Sequence, residues 1–174
     1  LARELTLWAR LDHPNILGLL GFCLDESMSS AWLVSAFQSH GNISQYLQKA
    51  RPSLMVRQKL VRFFLSFRAI DTARGLKYLH GLKPPVCHGD IKAANVLVTD
   101  DFQAVLMDFG LSKALEGTPS GLTTTSFGLR GSTRYMSPEL VSEDDARRTL
   151  ASDVWAWGCL LLEASVACFY VFIL

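Results

Sequence analysis

The sequence predicts an α+β fold, in which helices and short strands occupy separate stretches of the chain. Apolar residues recur every three or four positions in residues 1–11 and over the long stretch 54–80, as they do on one face of a helix. Two apolar runs, 16–22 and 31–37, are bounded by turn residues and predict strands. Residues 153–174 are almost wholly apolar, and Asp153 opens a predicted last helix at 154–163.

The first predicted helix is short and amphipathic. Leu5, Trp8 and Leu11 lie three residues apart with charged residues between them. The turn-forming residues 12–15 then end the helix. The two apolar runs that follow predict a strand hairpin after this helix.

The middle of the chain is predicted to be mainly helical. A helical pattern returns at Asn42, and a longer helix covers 54–80 until Pro84 and Pro85 end it. The buried face of this longer helix is predicted to contain Leu60, Phe63, Phe64, Phe67, Ile70, Leu76 and Leu79.

Short segments and a loop follow the long helix. Apolar segments at 86–87, 96–98 and 104–107 are separated by polar turns rich in Asp and predict short strands. Residues 117–132 are crowded with Gly, Ser and Thr and predict a mobile loop, of a length that usually serves function.

Composition limits the class of protein. The 174 residues suit one domain or part of one, and 49% hydrophobic residues exclude disorder over the whole length. Seventeen Lys and Arg against 16 Asp and Glu give a formal charge of +1. This charge provides no strong positive electrostatic field to attract the backbone of a nucleic acid. The four cysteines are scattered without CxxC spacing, as in free thiols of a reducing compartment. We therefore expect a cytoplasmic protein without a nucleic-acid partner.

Four sequence motifs carry a resemblance to a known family. They are HGDIKAANVL at 88–97, DFGLSK at 108–113, GSTRYMSPE at 131–139 and SDVWAWGCLLLE at 152–163. A lone Asp-Phe-Gly is a weak signal, whereas four motifs in this order and at this spacing form a specific one. Over nearly its whole length the chain resembles the catalytic half of eukaryotic protein kinases, closest to the tyrosine-kinase-like serine/threonine group.

The resemblance implies a protein-kinase-like, two-lobed α+β fold that is incomplete and mainly contains the helical large lobe. Residues 1–174 would form a partial protein kinase domain. Within it, residues 1–36 correspond to a remnant of the small lobe with the C helix and two strands. Residues 37–174 correspond to the large lobe through the F helix.

The resemblance also implies which residues perform the chemistry. Phosphoryl transfer needs an acceptor for the hydroxyl proton, a cation near the phosphate and hard oxygen ligands for Mg²⁺. By resemblance, Asp90 accepts the proton and Lys92 neutralises the γ-phosphate of ATP, while Asn95 and Asp108 bind Mg²⁺. As isolated residues, Asp90 and Asn95 are more often turn formers that bond to the backbone.

The implied ATP site extends to the end of the second strand. There the family's hinge offers backbone groups to adenine, so the identity of the side chains carries no information. By resemblance, the full set of ATP-binding residues is Ala36, Gln38, Lys92, Asn95, Leu97 and Asp108.

A stack of rings is implied to support the site. By resemblance, His88 packs beneath the segment from Asp108 to Gly110, where Phe109 joins it in an apolar stack. Trp8 would take the position that the family's C helix contributes to this stack.

Four more positions have both a functional and an ordinary interpretation. Glu4 lies where the family has the ion-pairing Glu of the C helix, or is a solvated residue. Ser132 lies where the family has a hydroxyl contacting the catalytic Asp and Lys, or is a polar loop residue. Asp153 resembles the aspartate that holds the catalytic-loop backbone, and also suits a first helical turn. Glu139 is expected to be buried without its later Arg partner.

The sequence departs from the family pattern at several points. It begins with Leu1, without a signal-peptide pattern, and contains neither a glycine-rich loop nor the strand lysine. Gly89 replaces the Arg before the catalytic Asp, so activation by a phosphorylated loop is not expected. The family continues through further helices beyond Leu174. We therefore expect a truncated kinase domain with very low activity in these residues alone.

Two classes of function are open. By resemblance, Lys92 and Ala94 favour a serine/threonine protein kinase that acts on a protein substrate, because tyrosine kinases carry Ala and Arg at these two positions. The alternative is a catalytically dead fragment or pseudokinase that serves as an interaction module. All four catalytic and metal-binding positions keep the family's residues, which favours the kinase.

The apolar end of the chain has a second interpretation. Residues 154–174 are long enough to cross a membrane, which takes about 20 residues. Glu163 lies near their middle, where a carboxylate is costly to insert. A buried helix is therefore favoured over a membrane anchor.

Overall fold

The computed structural model describes residues 2–25, 31–49, 68–109, 113–114, 133–142 and 146–170. The helices in these ranges are α1 (Ala2–Trp8), α2 (Ile43–Lys49), α3 (Ala69–Gly81), α4 (Pro138–Ser142) and α5 (Leu150–Tyr170). The strands are β1 (Leu19–Leu24), β2 (Ala31–Ser35), β3 (Val86–Cys87), β4 (Val96–Val98), β5 (Ala104–Leu106) and β6 (Lys113–Ala114). Single 3₁₀ turns lie at Ala93–Asn95 and Thr133–Tyr135.

The described strands form three separate two-stranded antiparallel sheets. β1 pairs with β2, β3 with β6, and β4 with β5. Helices and small antiparallel sheets in one chain make an α+β fold, so the predicted fold class is confirmed. The predicted loop 117–132 lies outside the described residues.

The predicted hairpin is confirmed, but its first strand begins later than expected. Ile16 forms a parallel bridge to Leu106 in β5 instead of joining β1. The backbone N–H of Leu17 donates to the Leu106 carbonyl at 2.8 Å, and the N–H of Leu106 donates to the Asn15 carbonyl at 3.0 Å. Residues 15–17 therefore tie the segment after α1 to the small sheet of β4 and β5.

Helix α3 is the described part of the predicted helix 54–80. Thr72, Leu76 and Leu79 are buried on one face. The prediction that Ile70 shares this face is wrong, because its side chain is 48% exposed. At about 3.6 residues per turn, a residue two positions before Thr72 points to the opposite side of the helix. The predicted positions before Arg68 lie outside the described residues.

Helix α5 begins at Leu150, before the predicted start at Asp153. The Ser152 N–H donates to the Thr149 hydroxyl at 3.1 Å, and the Thr149 N–H donates to the Ser152 hydroxyl at 2.8 Å. This reciprocal cap satisfies amide groups that a helix start otherwise leaves without partners. Asp153 consequently lies inside the first turn of α5.

One buried core joins these elements. Its largest fully buried side chains include Phe109, Leu79, Ile91, Leu106 and Leu160, which come from the loops, α3, β5 and α5. The core therefore includes Ile91 and Phe109, which lie in two of the motif segments.

Two observations on the described residues concern the cysteines and a possible membrane span. The cysteines whose side chains are described, Cys23, Cys87 and Cys159, are free thiols. Among the helices in the described ranges, none has both the length and the apolar character needed to cross a membrane.

Candidate active site

The loop between β3 and β4 is fixed by a carboxylate from a distant helix. Asp153, in the first turn of α5, is buried and accepts two backbone hydrogen bonds from this loop. The His88 N–H donates to Asp153 Oδ2 at 2.7 Å, and the Gly89 N–H donates to Asp153 Oδ1 at 2.8 Å. The start of the loop is thereby attached to α5.

The Asp153 carboxylate is stabilised in its charged form. Burial by itself would raise the pKa of Asp153, but hydrogen bonds from His80 and from the Gly89 and His88 N–H groups outweigh it, and the pKa is lowered. The His80 contact joins Nε2 to Asp153 Oδ2 at 2.9 Å. Asp153 therefore connects α3, α5 and the loop.

Three polar side chains converge in the same loop. Lys92 Nζ donates to Asp90 Oδ2 at 2.5 Å. Asn95 Nδ2 donates to both the carbonyl oxygen and Oδ2 of Asp90, each at 2.9 Å. The side chain of Asp90 is 9% exposed and that of Lys92 is 24% exposed. A carboxylate, an ammonium and an amide are thus held together at the edge of the core.

Asp108 follows the strand that pairs with β4. The Met107 N–H donates to the Asn95 carbonyl at 3.0 Å, which joins the end of β5 to the loop. Asp108 itself is exposed and has a φ of 67°, a left-handed conformation that is uncommon for a residue other than glycine. Such conformations concentrate at functional sites because the surrounding structure must hold them.

A row of three rings packs beneath the loop. The ring centroids of Trp8 and Phe109 are 5.7 Å apart, and those of Phe109 and His88 are 5.3 Å apart. All three residues are buried. Trp8 Nε1 also donates to the Leu17 carbonyl at 2.5 Å, which fixes the end of α1 against the row.

His88 is neutral in this environment. Burial lowers its pKa, and this effect outweighs the neighbouring carboxylates that raise it. The Asp90 N–H donates to His88 Nδ1 at 3.2 Å, so the proton lies on Nε2, which donates to the Met107 carbonyl at 3.2 Å. One neutral tautomer therefore satisfies both contacts.

A tyrosine connects the loop to the middle of α5. The Tyr135 hydroxyl donates to the Glu163 carboxylate and accepts from the Ala93 N–H at 3.4 Å. Burial raises the pKa of Glu163, and Arg134 partly offsets this rise. Glu163, which the sequence presented as a charge in an apolar helix, thus has a specific polar partner.

The predicted hinge residues lie just after β2. Gln38 Nε2 donates to the Ala36 carbonyl at 3.2 Å, and the Gly41 N–H donates to the Gln38 carbonyl at 3.0 Å. Asn42 then forms an antiparallel bridge to Leu97 in β4. This segment and the loop between β3 and β4 therefore meet at the sheet of β4 and β5.

Some predicted residues are only partly described. Gly110 and Ser132 lie outside the described residues, as does the side chain of Glu4, whose backbone belongs to α1. Glu139 lies in α4 and is only half-buried, so the expected burial of this carboxylate is wrong. The Ser137 hydroxyl and the backbone N–H of Glu139 lower its pKa.

Sequence reasoning assigned no role to three residues that contact this site. The His80 side chain bonds to Asp153, the Tyr135 hydroxyl to Glu163, and the Arg148 guanidinium to the Gly89 carbonyl. Tyr135 belongs to a quoted motif, and its place there was an available signal. His80 and Arg148 lie outside the motifs, and nothing local in the sequence marks them.

The fold and this loop define a class of protein, the protein kinases. Residues 1–169 match the model of the family described as protein tyrosine and serine/threonine kinase, and the chain belongs to that family. The resemblance that the four motifs carry is thereby confirmed.

Several plant proteins are similar to the chain. A probable receptor-like serine/threonine-protein kinase of Arabidopsis thaliana is 36% identical over 92% of this chain and 35% of its own length. A probable serine/threonine-protein kinase of the same plant is 34% identical over 92% of this chain and 40% of its own length. A calcium/calmodulin-regulated receptor-like kinase of that plant is 34% identical over 94% and 35%. The chain thus spans 35% to 40% of these relatives.

Proposed function

We propose that this chain contributes the catalytic loop of a serine/threonine protein kinase that transfers the γ-phosphate of ATP to protein hydroxyl groups. The observation that carries the proposal is the convergence of Asp90, Lys92 and Asn95 in one loop, with Lys92 Nζ 2.5 Å from Asp90 Oδ2. A base and a cation this close suit a reaction in which a hydroxyl loses a proton while a phosphate gains charge.

Each side chain has a role that follows from its chemistry. Asp90 orients the attacking hydroxyl and accepts its proton, and the amide of Asn95 keeps the carboxylate in one orientation. Lys92 opposes the negative charge on the transferred phosphoryl group. Because Asp90 is nearly buried, this charge pair acts in surroundings where water screens it little.

The donor set also suits Mg²⁺. Within the described residues, no group of three or more His, Cys, Asp and Glu side chains is placed to hold a metal. Mg²⁺ does not need such a group, since it is bound through one or two carboxylates together with substrate phosphates. Asn95 uses its amide nitrogen on Asp90, which leaves Oδ1 as an acceptor, and Asp108 supplies a carboxylate. When bound, Mg²⁺ would neutralise phosphate charge beside Lys92.

Nucleotide binding is assigned to the segment after β2. Backbone groups of Ala36 and Gln38 would contact adenine, and Leu97 of β4 would lie against its ring. The bridge between Asn42 and Leu97 supports this assignment, because it brings the two segments together.

The relatives and the loop support a substrate class, and the free thiols support a location. Lys92, with Ala94 two residues later, favours serine and threonine hydroxyls, and two of the relatives carry the words serine/threonine-protein kinase in their names. We propose a protein substrate and a cytoplasmic location, the compartment that suits free thiols.

The test measures phosphate transfer from ATP to serine-, threonine- and tyrosine-containing peptides by the protein that contains this chain. We expect transfer to the hydroxyls of serine and threonine, and a loss of kcat of about 10²–10⁴-fold in Asp90→Asn. Asp101→Asn changes an exposed carboxylate in the same way and should leave kcat unaltered. If the wild-type protein transfers no phosphate, the catalytic proposal fails and the interaction module is the better account. Transfer to tyrosine alone would contradict the substrate class.

A further inference from the structure

A cation outside the four motifs contacts the catalytic loop. Arg148 lies just before α5, and its guanidinium donates to the carbonyl of Gly89. Its side chain is half-buried, whereas the neighbouring Arg147 is exposed. The two arginines are adjacent in sequence, so they form a matched pair in which one contacts the loop.

The Arg148 contact falls on the peptide group that leads into Asp90. In that peptide the carbonyl belongs to Gly89 and accepts from Arg148, while the N–H belongs to Asp90 and donates to His88 Nδ1 at 3.2 Å. The preceding peptide is held by its own N–H, which Gly89 donates to Asp153 at 2.8 Å. Both peptides that flank Gly89 are therefore attached to fixed groups.

Glycine makes these attachments necessary. Gly89 has a φ of 80°, in the left-handed region that glycine enters without steric cost. The same freedom allows glycine many other conformations, and it has no side chain with which to fix one of them. A change in the backbone dihedral angles of Gly89 would shift Asp90 and take its carboxylate away from Lys92 and Asn95.

We infer that Arg148 is a positioning residue that fixes the Gly89–Asp90 peptide and thereby orients the Asp90 carboxylate. The inference rests on the proposed function, since it is Asp90 that accepts the proton there. The family pattern has an arginine where this chain has Gly89. Here the guanidinium of Arg148, from the segment before α5, contacts the backbone at that position instead. Arg148 acts through the loop backbone and touches no reacting atom.

The experiment compares three variants of the protein that contains this chain. Arg148→Gln keeps a polar side chain that is too short to reach the carbonyl, Arg148→Lys keeps one cationic donor, and Arg147→Gln is the control. Two quantities are measured, the kinetic constants for phosphate transfer and the hydrogen-exchange rate of the Asp90 amide. The exchange rate requires no activity, so it reports on the loop even in an inactive protein.

The expected result is a graded effect on kcat. Arg148→Gln should lower kcat about 10-fold or more with the KM for ATP within about twofold, because substrate contacts are unchanged and only the base is misplaced. Arg148→Lys should fall between this variant and the wild type, and Arg147→Gln should match the wild type. Exchange of the Asp90 amide should accelerate in the same order.

Other outcomes overturn the inference. Wild-type kcat and exchange in Arg148→Gln would show that the contact positions nothing, and equal losses in Arg147→Gln would show a general effect of charge. If Arg148→Gln does not fold, Arg148→Lys decides, since wild-type values for both quantities in that variant contradict the inference. If the wild-type protein is inactive, the proposed function fails, and the exchange rates still test the role of Arg148.

Discussion

The catalytic loop and the hairpin of β1 and β2 are both short stretches of chain, yet they are held in different ways. The loop donates two hydrogen bonds to Asp153 and accepts one from Arg148, and both residues are far away in sequence. The hairpin is held by its own ladder, and large apolar side chains such as Phe22 and Trp32 are more than half exposed. Residues far apart in sequence therefore hold the loop, whereas pairing between neighbouring strands holds the hairpin.

This difference shows that tertiary contacts position the loop between β3 and β4. The register of a hairpin is set by its own strands and turn, which are close together in sequence. The positions of Asp90, Lys92 and Asn95 must be fixed closely if they are to act on one substrate, and a loop alone does not supply that rigidity. Substitutions in the loop and its supports should therefore have larger effects than matched substitutions elsewhere.

The largest expected effect comes from a pair of phenylalanines. Phe109 is 0% exposed in the middle of the ring row, whereas Phe22 is 53% exposed in β1. We expect Phe109→Ala to lower the free energy of unfolding by about 3–5 kcal/mol, because it leaves a cavity in the core. Phe22→Ala should cost less than about 1 kcal/mol. Urea unfolding measures both, and equal losses would show that the two regions do not differ.

The next effect concerns the carboxylate that holds the loop. Asp153→Ala leaves the N–H groups of His88 and Gly89 without their acceptor, and we expect a loss of about 3 kcal/mol in the free energy of unfolding. Asp101→Ala removes an exposed carboxylate and should change stability by less than about 0.5 kcal/mol. A loss at Asp153 as small as that at Asp101 would contradict the proposed attachment of the loop to α5.

The smallest effect is a dependence of stability on pH. Burial lowers the pKa of His88, so the unfolded chain binds a proton at a higher pH than the folded one. The contribution of neutral His88 to stability is then fully present above the unfolded pKa of about 6.5. As the pH falls below this value, the free energy of unfolding decreases by up to about 1.4 kcal/mol per pH unit. Unfolding measured between pH 7.5 and pH 5 should show this slope.

The control for this slope is His88→Gln, which removes the titrating group from the core. Its slope should be smaller, and the remainder comes partly from His13, whose pKa is lowered by burial and by Arg74. A variant slope equal to that of the wild type would show that His88 does not titrate as its burial implies.

Local patterns predicted much of the fold. Helices α1, α2, α3 and α5 and the hairpin lie where periodicity and turn residues place them, whereas no pattern predicted α4. The errors occur where tertiary pairing decides, as when Ile16 joins Leu106 rather than β1, or where a pattern was extended too far, as at Ile70. The start of α5 differs because the reciprocal bonds between Thr149 and Ser152 begin the helix before Asp153.

For the site, the sequence supplied the residues and the tertiary structure supplied their partners. Motif order and spacing alone determined the family and singled out Asp90, Lys92, Asn95 and Asp108, because each motif consists of residues that are close together in sequence. The bond of Arg148 to Gly89 joins residues 59 positions apart, and that of His80 to Asp153 joins residues 73 apart. Only the packing of α3, α5 and the loop around one core brings such groups within hydrogen-bond distance, since no local periodicity encodes the separation.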